Sequence, residues 1–173
     1  MIRRLGSHAG RKIVFGYDRY LSDELESYMA VLASHGEVSL AVDADSLHYL
    51  SSAQRVCEAM QADADEVSWG ILCCGTGLGM SIAANKFRGI YAARCVTVED
   101  AEMARSINNA NVLCLAARNP LEINRAIIDA FVLTPYAGRK LDQLETIAHL
   151  ELESRPSPSV PVSPTLRVVR RLA

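Results

Sequence analysis

Cys74 is the side chain in this sequence best placed to do chemistry. It ends the apolar run Trp69–Cys74, and Gly75, Thr76, Gly77, Leu78 and Gly79 follow before helix-forming residues take over at Met80. Three glycines alternating with two other residues let a backbone turn sharply and aim several N–H groups at one point beside a helix N-terminus, which favours a negative ligand. The same N–H groups and helix dipole would favour a thiolate at Cys74, and a thiolate there could act as a base. The residues alone leave a second account open, in which Cys74, like Cys73, is a small hydrophobe at the edge of a sheet. A dinucleotide loop fits less well, because that fingerprint needs Gly-x-Gly-x-x-Gly and an acidic ribose partner about 20 residues further on. Here the third glycine comes one residue early, and Glu99 and Asp100 fall at the start of a predicted helix, not the end of a strand.

The elements that must position this turn alternate between strand and helix. Lys12 to Gly16 reads as a first strand, and Ser22 to His35 as a helix with Leu25, Tyr28, Met29 and Leu32 on one face, Ser22 as its N-cap and Gly36 as its stop. Val38 to Val42 reads as a strand, Ser51 to Ala62 as a helix and Ala62 to Glu66 as an Asp-containing turn. The apolar run at 69–74 is of the kind buried inside a parallel sheet, and the helix beyond the glycines covers Met80 to Lys86. Gly89 to Cys95 is a fourth strand, Val98 to Asn108 a helix, Val112 to Ala116 a fifth strand, and Pro120 to Leu133 a helix with proline in its first turn.

This order predicts an α/β fold, a single-domain three-layer sandwich on a five-stranded parallel, Rossmann-like sheet. Right-handed crossovers bring the strand C-terminal ends to one edge, where a site is expected. The loops at that edge carry Asp18 and Arg19, the glycine turn, Thr97 and Arg118.

A length of 173 residues, half of them hydrophobic, suits one domain of ordinary size. The net charge is −2 and the basic residues are scattered apart from Arg-containing ends, so a nucleic-acid partner is not expected. No run approaches a membrane span, so a soluble, cytoplasmic protein is expected. Cys57, Cys73, Cys74, Cys95 and Cys114 are odd in number and lack metal-ligand spacing, so they read as reduced thiols with no metal site. Residues 1–11 read as a flexible leader and 12–150 as the domain. Residues 151–173, where Ser154 to Thr165 holds four of the six prolines, read as a largely disordered tail. His8, His35 and His149 suggest no role, Cys95 and Cys114 read as core, and Trp69 reads as packing.

Taken together, Cys-Gly-Thr-Gly-Leu-Gly-Met-Ser-Ile-Ala-Ala-Asn-Lys at 74–86, Gly-Ile at 89–90 and Asn-Asn-Ala-Asn-Val-Leu-Cys-Leu at 108–115 closely resemble the type B ribose-5-phosphate isomerase family, which includes galactose-6-phosphate isomerase subunits and tetrose-phosphate isomerases. The likeness runs over about residues 12–150. It implies an aldose–ketose isomerase that needs no metal or cofactor and works through a cis-enediolate, with Cys74 as the base. A second branch of the family uses a Glu where this chain has Met80. The resemblance further implies that the N–H groups of Gly75, Gly77 and Gly79 hold the enediolate oxygen, that Thr76 assists the base and that Asp18 contacts sugar hydroxyls. Tyr49 falls near a family tyrosine, Asn108 matches an asparagine that holds the reacting oxygens, and Arg118 matches an arginine near the substrate. Family members are dimers or tetramers with sites shared between chains, so a homodimer or homotetramer is implied.

Four departures from the family pattern bear on function. Ile107 stands where the family has a ring-opening histidine, and an isoleucine cannot shuttle a proton. The substrate is then open-chain, as a four-carbon sugar phosphate largely must be, or a group such as His48 takes over, or cyclic sugars are not turned over. Arg19 replaces a histidine after Asp18, Ala137-Gly138-Arg139-Lys140 replaces Gly-Gly-Arg-His, and Gln143 replaces a second phosphate-binding arginine. Arg19, Arg139 and Lys140 are thus the candidate phosphate ligands. Besides the isomerase, two alternatives remain: a sugar-phosphate-binding paralogue without catalysis, and one subunit of a hetero-oligomeric isomerase.

Overall fold

The computed structural model describes residues 11–62 and 69–153. The leader through residue 10, the Asp-containing turn at 63–66 and the tail from residue 154 lie outside the described residues. Five strands, β1 (Ile13–Tyr17), β2 (Val38–Leu40), β3 (Trp69–Cys74), β4 (Ala92–Arg94) and β5 (Val112–Ala116), form one parallel sheet in the order β2-β1-β3-β5-β4. Six helices connect or flank them: α1 (Leu25–Ala33), α2 (Tyr49–Ala62), α3 (Leu78–Ala84), α4 (Val98–Ser106), α5 (Leu121–Leu133) and α6 (Leu141–Glu153). The expected three-layer α/β sandwich is the one observed. No helix among the described residues is long and apolar enough to cross a membrane.

Side-chain alternation along the strands separates the two hydrophobic layers. Phe15, Trp69, Ile71, Cys73, Leu113 and Leu115 pack with Tyr28 and Leu32 of α1, Ala101 and Ala104 of α4, and Ile127, Ile128 and Phe131 of α5. On the other face, Val14, Leu72, Cys74, Val112 and Cys114 pack with Ala53, Val56 and Cys57 of α2 and Met80 and Ala84 of α3. The three interior strands β1, β3 and β5 are buried at every position; β3 and β5 have the bounds expected from sequence, whereas β1 is shifted by one residue, from the expected Lys12–Gly16 to Ile13–Tyr17. β2 and β4, at the edges, have one neighbour each and are shorter than the apolar runs that suggest them.

The first helix departs most from expectation. Asp18 Oδ1 accepts the Tyr20 N–H at 3.0 Å and caps a 3₁₀ turn over Arg19–Glu24. α1 therefore starts at Leu25, and Ser22, inside that turn, donates its hydroxyl to the Arg19 carbonyl instead of capping a helix. Gly36 is not a left-handed helix stop. Its φ is not positive, and glycine is needed there because a Cβ would lie 2.0 Å from the Arg11 carbonyl oxygen. Pro120 sits just before the first turn of α5, as its N-cap, with ψ 144. α6 runs three residues past the domain end expected at 150.

Arg105 of α4 is a core residue that the sequence reading does not single out. It lies fully buried one turn after Ala101, its guanidinium 4.4 Å from the centre of the Trp69 ring and 5.7 Å from that of Phe131. Nη1 donates to Asn109 Oδ1 and the Ala110 carbonyl, while Nε and Nη2 face the rings without a hydrogen-bond acceptor. Burial lowers its pKa to about 10, so it stays charged at neutral pH. Trp69 is thus a packing residue, as expected, and specifically the stacking partner of a cation. Arg105→Ala is expected to cost about 3 kcal/mol, because it empties the space beside the two rings and orphans the Ala110 carbonyl, whereas Arg105→Met, which refills that space, should cost less than half as much. Urea unfolding of both variants checks this.

Candidate active site

The register of the three interior strands sets their C-terminal ends level. Tyr17 pairs with Cys73, and Cys74 with Ala116. Two bonds carry the alignment into the loops: Asp18 N donates to the Cys73 carbonyl at 3.1 Å, and Ala117 N to the Cys74 carbonyl at 2.8 Å. From β1 the chain crosses one way to β2, and from β3 it crosses the other way, so a crevice opens between the ends of β1 and β3.

A cavity of about 510 Å³ occupies that crevice, lined by Asp18, Tyr20, Tyr49, Cys74, Gly75, Thr76, Gly79, Ala117 and Arg118. The structure thus brings together seven expected site residues, namely Asp18, Tyr49, Cys74, Gly75, Thr76, Gly79 and Arg118. Tyr20 and Ala117 are additional. Tyr20 is 75% exposed, and its ring covers Gly75 so closely that a Cβ there would meet Tyr20 Cδ2 at 3.3 Å. Its place directly after Asp18-Arg19 is the only signal the sequence offers for it.

Of the two adjacent thiols, only Cys74 reaches this cavity. Alternation sends Cys73 into the layer under α1 and α5, where burial pushes its thiol far above the ordinary range. Burial likewise pushes Cys57 and Cys95 up to about 12 and Cys114 well above its usual value, so these four are inert thiols. No cysteine is in a disulfide.

The glycine turn is shaped around the Cys74 sulfur. Gly77 N donates to Cys74 Sγ at 3.2 Å. Gly77 has φ 72, and a Cβ on it would lie 3.1 Å from the Leu115 carbonyl carbon and oxygen, so both conformation and space require glycine there. Gly79 abuts the Tyr49 ring, with 2.7 Å from a Cβ to Tyr49 Cε2. Thr76 Oγ1 accepts the Leu78 N–H at 3.3 Å, which leaves its hydroxyl hydrogen to donate elsewhere. α3 is only seven residues long and ends at Ala84, so the direct Gly77 N–H bond matters more to the sulfur than a helix dipole.

Asp18 is buried beside the turn. Desolvation pushes its carboxyl above the ordinary value of 3.8, while the Tyr20 and Gly75 N–H groups and the nearby Arg19 and His48 pull the other way. Arg118 is the one cation among the lining residues.

The other expected residues stand apart. Gly77 lies beneath the lining. Arg19 is exposed next to Asp18, Asn108 is exposed beyond α4, and Arg139 and Lys140 are exposed before α6. His48 is also exposed, its ring tilted 36° against that of Tyr49 at 4.7 Å with Nδ1 accepting the Leu50 N–H, and does not line the cavity. Asp100 belongs to a capping box at the start of α4, where its carboxylate accepts the Val96 and Thr97 N–H groups. Those bonds commit it to the helix and leave it no ribose to hold.

A family model described as ribose/galactose isomerase matches residues 13–147. The chain belongs to this family. It is similar to ribose-5-phosphate isomerase B of Escherichia coli, with 40% identity over 109 residues covering 62% of this chain and 70% of that one. It is 42% identical over 89 residues, half of this chain and 58% of the other, to D-erythrulose-4-phosphate isomerase of Pectobacterium atrosepticum. Among solved structures, the type B ribose 5-phosphate isomerase of Leishmania infantum superposes with a TM-score of 0.78 at 34% identity, over 84% of this chain and 99% of that one. The matched stretches span 40 to 70% of several curated relatives' lengths, with the low end set by the DNA damage-repair/toleration protein DRT102 of Arabidopsis thaliana. Family membership agrees with what the geometry offers: a sulfur and several main-chain donors on one cavity wall, an acid and a cation on the others.

Two outcomes test the site's physics. Gly77→Ala, which meets both backbone strain and the β5 carbonyls, should destabilise the fold by about 2 kcal/mol or more. Gly89→Ala, with φ 76 but nothing within 4 Å, should cost only about 1 kcal/mol. Thermal or urea melts compare them. For Asp18, a raised folded pKa means that ionisation costs stability, so the wild type loses stability as pH rises from about 4 through the folded midpoint. Asp18→Asn, which keeps an oxygen for the Tyr20 N–H, should match the wild type near pH 3.5 and be the more stable of the two at pH 7, as urea melts at the two pH values would show.

Proposed function

We propose that this chain is an aldose–ketose isomerase of sugar phosphates, in which Cys74 moves a proton between the first two sugar carbons through a cis-enediolate. One observation carries this reading: Cys74 lines the cavity, and its Sγ accepts the Gly77 N–H of the glycine turn. As a thiolate it takes the proton from the carbon beside the carbonyl. The enediolate oxygens then meet main-chain N–H groups of the Gly75 to Gly79 turn, a kind of donor worth several kcal/mol in comparable sites, with the Gly75, Gly77 and Leu78 N–H groups exchanging their partners Asp18, Cys74 Sγ and Thr76 Oγ1 for the oxyanion. Thr76 donates its hydroxyl near the base. Asp18 and Tyr49 orient the sugar hydroxyls, and Arg118 draws the anionic end.

Asn108, Arg139 and Lys140 serve a neighbouring copy's cavity in this proposal. Ala137 N donates to the Ser106 carbonyl at 3.2 Å, so the segment ahead of Arg139 lies against the turn that carries Asn108. Both are thus displayed together on the surface, as a shared site in a homodimer or homotetramer requires. Arg19, beside Asp18, joins them as a phosphate ligand. A cytoplasmic location fits a sugar-phosphate substrate.

Ile107 directs the reading toward short substrates. It is the C-cap of α4 and offers no proton relay for opening a ring. An open-chain tetrose phosphate needs none. The expected result is solvent deuterium entering the second carbon of erythrose 4-phosphate, or the first carbon of an erythrulose phosphate, faster than the second carbon of ribose 5-phosphate, with loss of more than about a thousandfold in Cys74→Ala. No exchange with any of these, or full exchange in Cys74→Ala, rejects the isomerase. Mixed oligomers of the inactive Cys74→Ala and Asn108→Ala proteins should regain part of the activity if sites are shared. The same absent histidine favours a second reading, a binding-only paralogue or one subunit of a hetero-oligomer. Thermal stabilisation by sugar phosphates with no exchange would select that reading.

A further inference from the structure

Arg94, the last residue of β4, is half-buried and reaches over to the glycine turn. Its Nε donates to the Thr76 carbonyl at 2.7 Å. That carbonyl and the Gly77 N–H are the two ends of a single planar peptide unit, and the Gly77 N–H is the group that donates to Cys74 Sγ at 3.2 Å. A bond made at one end therefore fixes where the other end points.

This peptide is the one in the turn most in need of holding. Glycine at its C-terminal side tolerates both orientations of the preceding peptide, which is how turns exchange between types I and II. In the flipped orientation the Thr76 carbonyl, instead of the N–H, would approach the sulfur, and an anionic sulfur would be repelled. A guanidinium on the carbonyl opposes the flip. It also polarises the amide, so the N–H at the far end becomes a stronger donor.

We propose that Arg94 is a positioning residue for the base: through the Thr76–Gly77 peptide it locks and strengthens the N–H donor on Cys74 Sγ. The inference rests on the reading of Cys74 as the base, but its first readout does not need turnover. The other titratable or charged groups that share the cavity with the sulfur are Asp18 and Tyr20 after β1, Tyr49 of α2 and Arg118 after β5; Cys114 of β5 packs in the same layer as Cys74, and Cys73 of β3 is the neighbour of Cys74 on the opposite face. None of these is altered by changing Arg94.

The experiment follows iodoacetamide alkylation of Cys74 in the intact protein against pH by mass spectrometry, with Cys74→Ala to identify the signal. Arg94→Met removes the donor at similar length, and Arg94→Lys retains a charged donor. The alkylation midpoint in Arg94→Met is expected to move up by about one pH unit, with a rate at pH 7 roughly tenfold lower, and Arg94→Lys to recover most of that loss. With substrate, kcat should fall in Arg94→Met while KM changes little. A midpoint in Arg94→Met that superposes on the wild-type one overturns the proposal. Should Arg94→Met fail to fold, Arg94→Leu, which also lacks a donor, carries the same comparison. The shift without isomerase activity in the wild type would reject the proposed function and uphold the relay, whereas activity that depends on Cys74 with no shift would reject the relay alone.

Discussion

The site depends on how the chain leaves β3. The turn must fold back under the Cys74 sulfur, and in doing so it passes over the last carbonyls of β5. Only glycine can make that pass at position 77, since a Cβ would meet the Leu115 carbonyl while φ stays at 72. Once the backbone is there, the Gly77 N–H meets the sulfur, α3 starts at Leu78, and Gly79 lies against Tyr49. The same parallel register that sets β1, β3 and β5 level brings Asp18 and Ala117 to the two sides of the turn through bonds to the Cys73 and Cys74 carbonyls.

Holding the site open is costly to the fold. Asp18 is buried beside the turn, and its desolvation outweighs the N–H groups and cations that favour its charge. Asn109 and Lys140 also carry positive φ values, of 51 and 55, near the segments that display Asn108 and Arg139. The compensating packing lies on the opposite face of the sheet. There Arg105 lies against the edge-to-face pair of Trp69 and Phe131 and ties down the Asn109 side chain and the Ala110 carbonyl, so the turn after α4 is fixed from the core outward. A second buried network works similarly after β5. Asn124 donates to the Ala116 carbonyl at 2.9 Å and to the Tyr28 hydroxyl at 2.6 Å, steadying the turn that presents Ala117 and Arg118.

What the sequence makes legible follows from burial. β3 is a continuous apolar run between Ser68 and Gly75, and the glycine pattern after it has few backbone solutions, so strand, turn and cysteine are readable together. Alternation alone would have distinguished Cys74 from Cys73 once the face of Leu72 was known. The start of α1 was not readable, because a single side-chain oxygen on Asp18 diverts the chain into a 3₁₀ turn before the helical pattern begins. Tyr20 and Arg94 lack a periodic signal: one enters the site by overlying a glycine, the other by reaching across from an edge strand. Arg105 had a signal in its spacing from Ala101, but a charged side chain at a core position looks like an error in the pattern until its aromatic neighbours are known.

Under the proposed function, the distribution of charge leaves one chain alone with an incomplete pocket for a phosphorylated sugar. Such a substrate has one end that must develop an oxyanion and another that is already an anion. The first end is served by neutral main-chain donors, which strengthen as charge appears and leave the ground state less bound. The second needs fixed cations, and the cavity wall supplies only Arg118. Arg139 and Lys140 sit with Asn108 on a separate surface, joined through the Ala137 to Ser106 bond. Under the proposed function, association of two chains closes both ends of the substrate in one step. The distance between the neighbour's cations and the sulfur then fixes how many carbons the substrate can hold, so selection by chain length arises at the contact between copies and not within the glycine turn.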